Sequence, residues 1–457
     1  MPWTIGQVAA ALGIEAPPES AHLPVSAVVT DTRNIEPGCL FVALKGPRFD
    51  GHDFVENARA QGAVAALVEK PVESPVESSV ESHLPQLICP DTRLALGLIA
   101  GAHRNKWQGP LVAVTGNSGK TSVKEMCAAL LAPLGDVLAT QGNLNNDIGA
   151  PLTLLRLRAQ HSAAVIELGA NHLGEIAWIA HLAKPDVALI TNVTGAHVGE
   201  FGGMGQIAQA KGELLDALGE HGTAIINRDD RYFSFWAARA APRRVMSFGF
   251  HNQADVSASA LSCDSQGRYA FTLLQHGQAL GHVQLPLLGK HNVSNALAAA
   301  AAALTLGISS EQVIARLQSL HVLTGRLAVV LGLRGAKLLD DTYNANPGAV
   351  KAALDTLTSF PAPRWCALGA MGELGDESAA LHAEIGRYAA SLGIDALLTL
   401  GEPARAASEA FGRGLHFNDH EALTRYVTNT LPPDTTLLVK GSRSAGMEHV
   451  VNALRTD

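Results

Sequence analysis

The stretch Thr115-Gly116-Asn117-Ser118-Gly119-Lys120-Thr121 falls between the apolar run LVAV and a helix-forming segment. Those residue types suit the gripping of a polyphosphate. Glycines let backbone N–H groups close on an anion, and the start of a helix adds partial positive charge. Lys120 would reach the terminal phosphates and Thr121 would offer its hydroxyl to Mg²⁺. The strict phosphate-loop pattern places a glycine at 114, where this chain has Val114. A tight turn ahead of a helix is the bland alternative. Gly-Lys-Thr in a strand–loop–helix context favours a bound nucleotide.

Further on, the run AAVIE ends in Glu167, and a carboxylate at a strand end beside such a loop suits a hard, oxygen-seeking Mg²⁺. The next apolar run ends ITNVTGAH, supplying Asn192 and His197. Alone, a strand-end Glu is ordinarily solvated and an isolated His ordinarily structural; convergence with the loop gives them weight. A GTPase is the first rival. INRDD (226–230) has the spacing of a guanine-reading Asn-Lys-x-Asp, but Arg228 stands where Lys belongs, which disfavours it.

The elements that must position these residues read as α/β. Short apolar runs alternate with helical segments, as buried parallel strands with covering helices do. Domains are expected at 1–84, 85–320 and 321–457, with an antiparallel annex at 254–288 and an Ala-rich helix at 292–306. A length of 457 residues fits several domains. The repeat PVESPVESSVES (71–82) cannot support a core and reads as a solvated loop. The net charge of −8, with no basic stripe, argues against nucleic acid. Five scattered cysteines (39, 89, 127, 263, 366) point to a reduced, cytoplasmic protein. No signal peptide or strongly apolar spanning segment is evident, so no membrane insertion is expected.

Together, Thr115–Thr121, Glu167, NVTGAH, AQAKGE, LLGKHNVSNALAAAA, Gly325-Arg326 and DDTYNANP resemble the Mur ligases over essentially the whole chain. GNLNNDIGAPLTLL (142–155), DDTYNANP (340–347) and LGAMGELGDESAALH (368–382) are similar to the members that add D-alanyl-D-alanine. The stretch TDTRNIEPGCLFVALKGPRFDGHDF is similar to their UDP-sugar-binding domain, and the DNPR of the diaminopimelate-adding relative is missing. Folylpolyglutamate synthetases share the ATP machinery without that N-terminal stretch.

The resemblance implies three domains: a small α/β UDP-binding one, a central ATPase domain with a mainly parallel sheet, and a C-terminal Rossmann-like one. It also implies ATP, two Mg²⁺ ions, and UDP-N-acetylmuramoyl-tripeptide and D-alanyl-D-alanine as substrates of a monomer. By position, Lys120, Thr121, Glu167 and His197 would serve the phosphates and metal. Lys211, in AQAKGE, would be a carbamate made with CO₂ that ligates a metal, although composition alone favours a surface lysine. His291, Asn292 and Asn295 resemble adenine-side residues, with helix capping as the alternative reading, for which Asn295 lies too deep in the helix. Arg326 would meet phosphates, and Asp341 and Tyr343 the ribose and base. Thr32, Arg33, Lys45, Gly46, Asp50 and His52 match the UDP-binding segment. Asn143, Asn145, Asn146 and Thr153 would read the peptide, and Asn344, Asn346, Lys440, Ser442 and Arg443 the dipeptide. A nucleotide-regulated binding protein without ligase activity is the alternative of another class. It would be expected to lose Glu167, Lys211 or Arg326, and all three are present.

Overall fold

The computed structural model describes residues 3–47, 49–73, 83–194 and 202–456. Residues 74–82 of the PVES repeat and His197 therefore lie outside the described residues. The chain divides into two compact units, one of residues 1–113, 134–170 and 174–186, the other of 114–133, 171–173 and 187–457.

In the first unit, strand β1 (Trp3–Thr4) pairs antiparallel with β2 (Pro24–Val25). Strands β3 (Val28–Val29), β4 (Leu40–Val42), β5 (Ala65–Val68) and β6 (Gln86–Ile88) follow in spatial order, all parallel. The side chains of β4 and β5 pack on both faces. Leu40, Val42 and Leu67 join Ile5, Leu96 and Ile99 on one side, and Phe41, Ala66 and Val68 join Val55 and Ala58 on the other. The helix Thr92–Asn105 starts on Asp91, whose carboxylate accepts the Arg93 and Leu94 N–H groups. Its Gly97 faces Trp178, where a Cβ would fall 2.6 Å from the indole, so this helix crossing requires glycine. Strand β7 (Leu111–Thr115) runs on into the phosphate segment. Strands β8 (Asp136–Ala139) and β9 (His161–Glu167) form a parallel pair in this unit.

In the second unit, β10 (Val187–Ile190), β11 (Thr223–Asn227) and β12 (Arg244–Gly249) are parallel neighbours. The first two are buried at every residue, as strands covered on both faces must be. β13 (Val256–Cys263) is parallel to β12, then β14 (Arg268–Gln275) and β15 (Gln278–Leu288) continue antiparallel. The expected annex at 254–288 is thus present. The Ala-rich helix runs Lys290–Thr305, and small side chains let it sit enclosed from Val293 to Ala303 apart from Ser294. Among the described residues, no helix is long and apolar enough to cross a membrane.

The last sheet holds β16 (Ala328–Leu331), β17 (Lys337–Asp341), β18 (Arg364–Gly369), β19 (Ala396–Leu400), β20 (Leu415–Phe417) and β21 (Thr436–Lys440). Their order is β16-β17-β21-β18-β19-β20. All neighbours are parallel except β16, an antiparallel edge that apolar runs alone do not distinguish. The last strand lies between β17 and β18, so the order reverses there. Ligands of open α/β sheets bind beyond the carboxyl ends of strands at such a point.

Candidate active site

The phosphate loop begins where β7 ends at Thr115. Gly116 has φ +141°, and a Cβ there would fall 2.0 Å from Thr191 Oγ1. Gly119, with φ +81°, starts the helix Lys120–Leu131, and its Cβ would fall 2.5 Å from Asn295 Oδ1. Both positions need glycine for conformation and for room. Val114 is a fully buried strand residue, so the turn simply starts later than in the strict pattern. Lys120 folds back, its ammonium donating to the carbonyls of Gly116 (2.9 Å) and Asn117 (3.1 Å).

The brace of this loop is Asn192. Its Oδ1 accepts the Ser118 N–H at 3.0 Å and its Nδ2 donates to the Ser118 carbonyl at 3.1 Å. Its own carbonyl accepts the Asn117 N–H at 2.9 Å, and Thr191 Oγ1 donates to the Ser118 carbonyl at 2.7 Å. The sequence signal for this role is the place of Asn192 just beyond the end of the next strand. INRDD backs the same strand end. Asn227 Nδ2 donates to the Thr191 carbonyl, and Asp230 accepts the Val193 N–H. Asp229 takes the Phe250 and His251 N–H groups. The guanine-reading alternative fails because these groups serve the backbone.

The segment DDTYNANP reaches the loop. Asn346 Nδ2 donates to Ser118 Oγ at 3.1 Å, while its Oδ1 caps the helix Pro347–Leu357 through the Ala349 N–H. Asp341 and Lys440 form an enclosed ion pair at 2.6 Å, and Lys440 also donates to the Asn344 carbonyl at 2.8 Å. Asn344 itself is exposed. The Arg326 guanidinium lies 4.1 Å from the Tyr343 ring centre. Ser442 is held by its N–H on the Ala370 carbonyl, and the exposed Arg443 meets Glu448 at 3.3 Å.

Neither asparagine caps the Ala-rich helix, whose cap position is Gly289. Asn292 Nδ2 donates to the Leu288 carbonyl at 2.8 Å, and its Oδ1 accepts from Asn295 Nδ2 at 3.0 Å. Burial pushes the His291 imidazole below its usual range, so it is neutral near pH 7. A cavity of about 370 Å³ opens beside this helix, lined by Ser122, Met126, Asn292, His321 and Arg326 among others. Lys211, on the helix Met204–Asp216, is 1 % exposed, which overturns the surface lysine favoured by composition.

In the first unit, Glu167 is 2 % exposed. Its Oε1 accepts from Asn145 Nδ2 at 2.8 Å, and its Oε2 is buried with no hydrogen-bond partner among the described residues. A buried anionic oxygen without a donor fits a divalent cation. The described residues contain no cluster of three or more His, Cys, Asp or Glu arranged to hold a metal ion. Asn143 is exposed, and Asn146 Oδ1 accepts the Gly149 N–H at 2.8 Å. Thr153 is fully buried, its hydroxyl donating to the Gly149 carbonyl of its own helix at 2.9 Å.

The UDP-like segment splits into scaffold and surface. Asp50 Oδ1 accepts both the backbone N–H (3.0 Å) and Nδ1–H (2.6 Å) of His52, which hold that carboxyl below its usual range. His52 Nε2 accepts the Glu69 N–H at 2.9 Å. With both ring nitrogens engaged, His52 buttresses the segment and has none left for a ligand. Arg33 is exposed and forks onto Asp31. Lys45 is exposed beside Gly46, bridging backbone to backbone with Asp50, and Thr32 is half-buried.

Three family models match the chain. They are the Mur ligase family catalytic domain (residues 24–104), the Mur ligase middle domain (114–303) and the Mur ligase glutamate ligase domain (325–443). The UDP-N-acetylmuramoyl-tripeptide–D-alanyl-D-alanine ligase of Escherichia coli is 46 % identical over 96 % of this chain and 95 % of that protein. The protein of the same name from Haemophilus influenzae is 40 % identical over 95 % and 94 %. A crystal structure of MurF from Acinetobacter baumannii superposes with a TM-score of 0.91 at 36 % identity, covering 99 % of this chain and 98 % of that one. The MurF ligase of Thermotoga maritima in complex with ADP gives 0.84 at 28 %, covering 93 % and 96 %. A braced phosphate loop and near-complete coverage by relatives of one kind lead to one assignment: the chain belongs to the Mur ligase family.

Proposed function

We propose that this protein is an ATP-dependent amide ligase of cytoplasmic peptidoglycan-precursor synthesis, acting as a monomer. It joins the terminal carboxylate of UDP-N-acetylmuramoyl-tripeptide to the amine of D-alanyl-D-alanine. The observation that carries the reading is the phosphate loop, braced by Asn192 and met by Asn346 of DDTYNANP, in a chain similar end to end to ligases of that name.

A carboxylate resists an amine because it has no leaving group. Its oxygen attacks the γ-phosphorus of ATP, ADP departs, and the acyl phosphate carries phosphate as a leaving group. The amine then adds to the acyl carbon, phosphate leaves and the amine proton is lost. Charge builds on phosphoryl oxygens and then on the tetrahedral carbon's oxygen, so cations and N–H donors catalyse both steps. Lys120 and the loop N–H groups that Asn192 does not take hold the phosphates, and Arg326 adds charge to them. The cavity beside Asn292 and Arg326 suits the base, with Asn295, His291, Asp341 and Tyr343 around the nucleoside. In the first unit Glu167 would ligate Mg²⁺, and in the second Thr121 and Lys211, the last as a carbamate, would serve Mg²⁺ as the family resemblance implies. Bound magnesium supplies neutralisation of phosphate charge. Arg33, Lys45 and Thr32 meet the UDP group, and Asn344, Ser442 and Arg443 the dipeptide.

Phosphate release by the purified protein should require both UDP-N-acetylmuramoyl-tripeptide and D-alanyl-D-alanine. Oxygen-18 placed in the tripeptide carboxylate should appear in the released phosphate. Turnover with neither substrate, or label that stays in the peptide, overturns the reading.

A further inference from the structure

Asn145 lies in GNLNNDIGAP, the run that resemblance gives to the peptide substrate. Its side chain is committed elsewhere. Nδ2 donates to Glu167 Oε1 at 2.8 Å. Its carbonyl accepts the Gly169 N–H at 2.8 Å, and a Cβ on Gly169 would fall 3.0 Å from the Asn145 amide. The turn that follows Glu167 therefore grips Asn145 by backbone and side chain together. Glu167 is fixed in return, its N–H donating to Thr140 Oγ1 at 2.9 Å. Only Oε2 of this enclosed carboxylate is left without a hydrogen-bond donor among the described residues.

We infer that Asn145 is a positioning residue for a divalent cation: by holding Oε1 it fixes the carboxylate plane so that Oε2 faces the ion. The inference rests on the proposed reading of Glu167 as a Mg²⁺ ligand. An amide suits this task. It donates without neutralising the carboxylate, as Lys or Arg would, and without adding a competing anion, as Asp would. Mg²⁺ demands near-ideal octahedral geometry, so a carboxylate free to rotate binds it less well. Groups that orient metal ligands are worth about 10–100-fold in metal affinity.

The test uses the full chain with ADP bound and Mn²⁺ as the probe, free Mn²⁺ being read by electron paramagnetic resonance. Asn145→Ala should raise the Mn²⁺ Kd about 10–100-fold. Metal-free ADP binding should be unchanged, which also reports that the variant is folded. Asn145→Leu, closer to Asn in outline, carries the same expectation where the alanine variant fails to fold. An unchanged Mn²⁺ Kd with a raised KM for UDP-N-acetylmuramoyl-tripeptide would make Asn145 a peptide contact and overturn the inference. Glu167→Gln separates the two layers. If it leaves Mn²⁺ binding intact, the assignment of Glu167 fails; if it weakens binding and Asn145→Ala does not, the inference about Asn145 fails alone.

Discussion

At the scale of single residues, the loop's shape depends on an amide that contacts no phosphate in the usual motif. Asn192 satisfies both backbone groups of Ser118, and its carbonyl also accepts the Asn117 N–H, so one residue fixes two successive peptide planes of the loop. Removing its amide leaves the Ser118 N–H to find another partner, while the Ser118 carbonyl keeps the Thr191 hydroxyl, at a cost of about 1–3 kcal/mol. Asn192→Ala should therefore weaken ADP binding roughly tenfold, by the equivalence of 1.4 kcal/mol to one decade. Asn192→Asp should be weaker still, because it loses the donor and sets a negative charge beside the phosphates. Calorimetric titration with ADP ranks the three, and an aspartate variant that matches wild type refutes the brace. Lys211 makes a separate prediction. Lys211 is enclosed at 1 % exposure, and the resemblance to the family implies a carbamate at this position. Lys211→Ala should abolish ligation, and small carboxylic acids should restore part of it by entering the space left. Failure of rescue, together with indifference to bicarbonate, counts against the carbamate.

At the scale of elements, the question is why these pieces leave room for one another. The phosphate-loop helix starts at Gly119 directly beneath Asn295 of the Ala-rich helix, and no side chain fits between them. Gly119→Ala must strain a positive φ, which costs about 1–2 kcal/mol, and must also displace Asn295. Adding Asn295→Ala should relieve the contact and not the strain, so in urea unfolding the double variant should lose less stability than the two single losses added together. Simple additivity in that cycle would show that the two helices do not press on each other here. Much of this architecture was legible in the sequence. Apolar runs marked the strands, and the glycines with Lys120 and Thr121 marked the loop, because both signals are local. What pairs with what was not legible. Asn192 meets Ser118 from 74 positions away, and Lys440 meets Asp341 from 99. No periodicity records such partners. Thr153 and His52 have types that suit a ligand, yet the structure engages their polar atoms with the protein's own groups. A threonine bonding back four residues within its own helix is a habit that the sequence could have suggested.

At the scale of the whole molecule, buried imidazoles spread along the chain give it a shared response to acid. His103 accepts the Trp3 indole N–H at Nδ1 (2.8 Å) and donates at Nε2 to the Leu157 carbonyl (2.9 Å). His382 accepts the Met371 N–H at Nε2 (3.0 Å) and donates at Nδ1 to the Ser378 carbonyl (2.8 Å). In each, only the neutral ring can both accept and donate, and a second proton would face an N–H group. Burial pushes both below the usual histidine range, as it does His291. In the unfolded chain the same rings titrate near pH 6.5. The unfolded state therefore takes up more protons as pH falls below about 6.5, and stability rises with pH through that window. These histidines contribute fully above pH 6.5 and lose their contribution as pH drops through their depressed folded values. The urea midpoint should accordingly fall between pH 7.5 and 5.5. Gln at 103 or 382 keeps an amide able to donate and accept but cannot titrate, so either variant should flatten that slope while costing about 1–2 kcal/mol at pH 7.5. Carboxylates contribute to any acid slope, and the comparison with wild type cancels them. A slope unchanged in both variants would assign the acid response elsewhere.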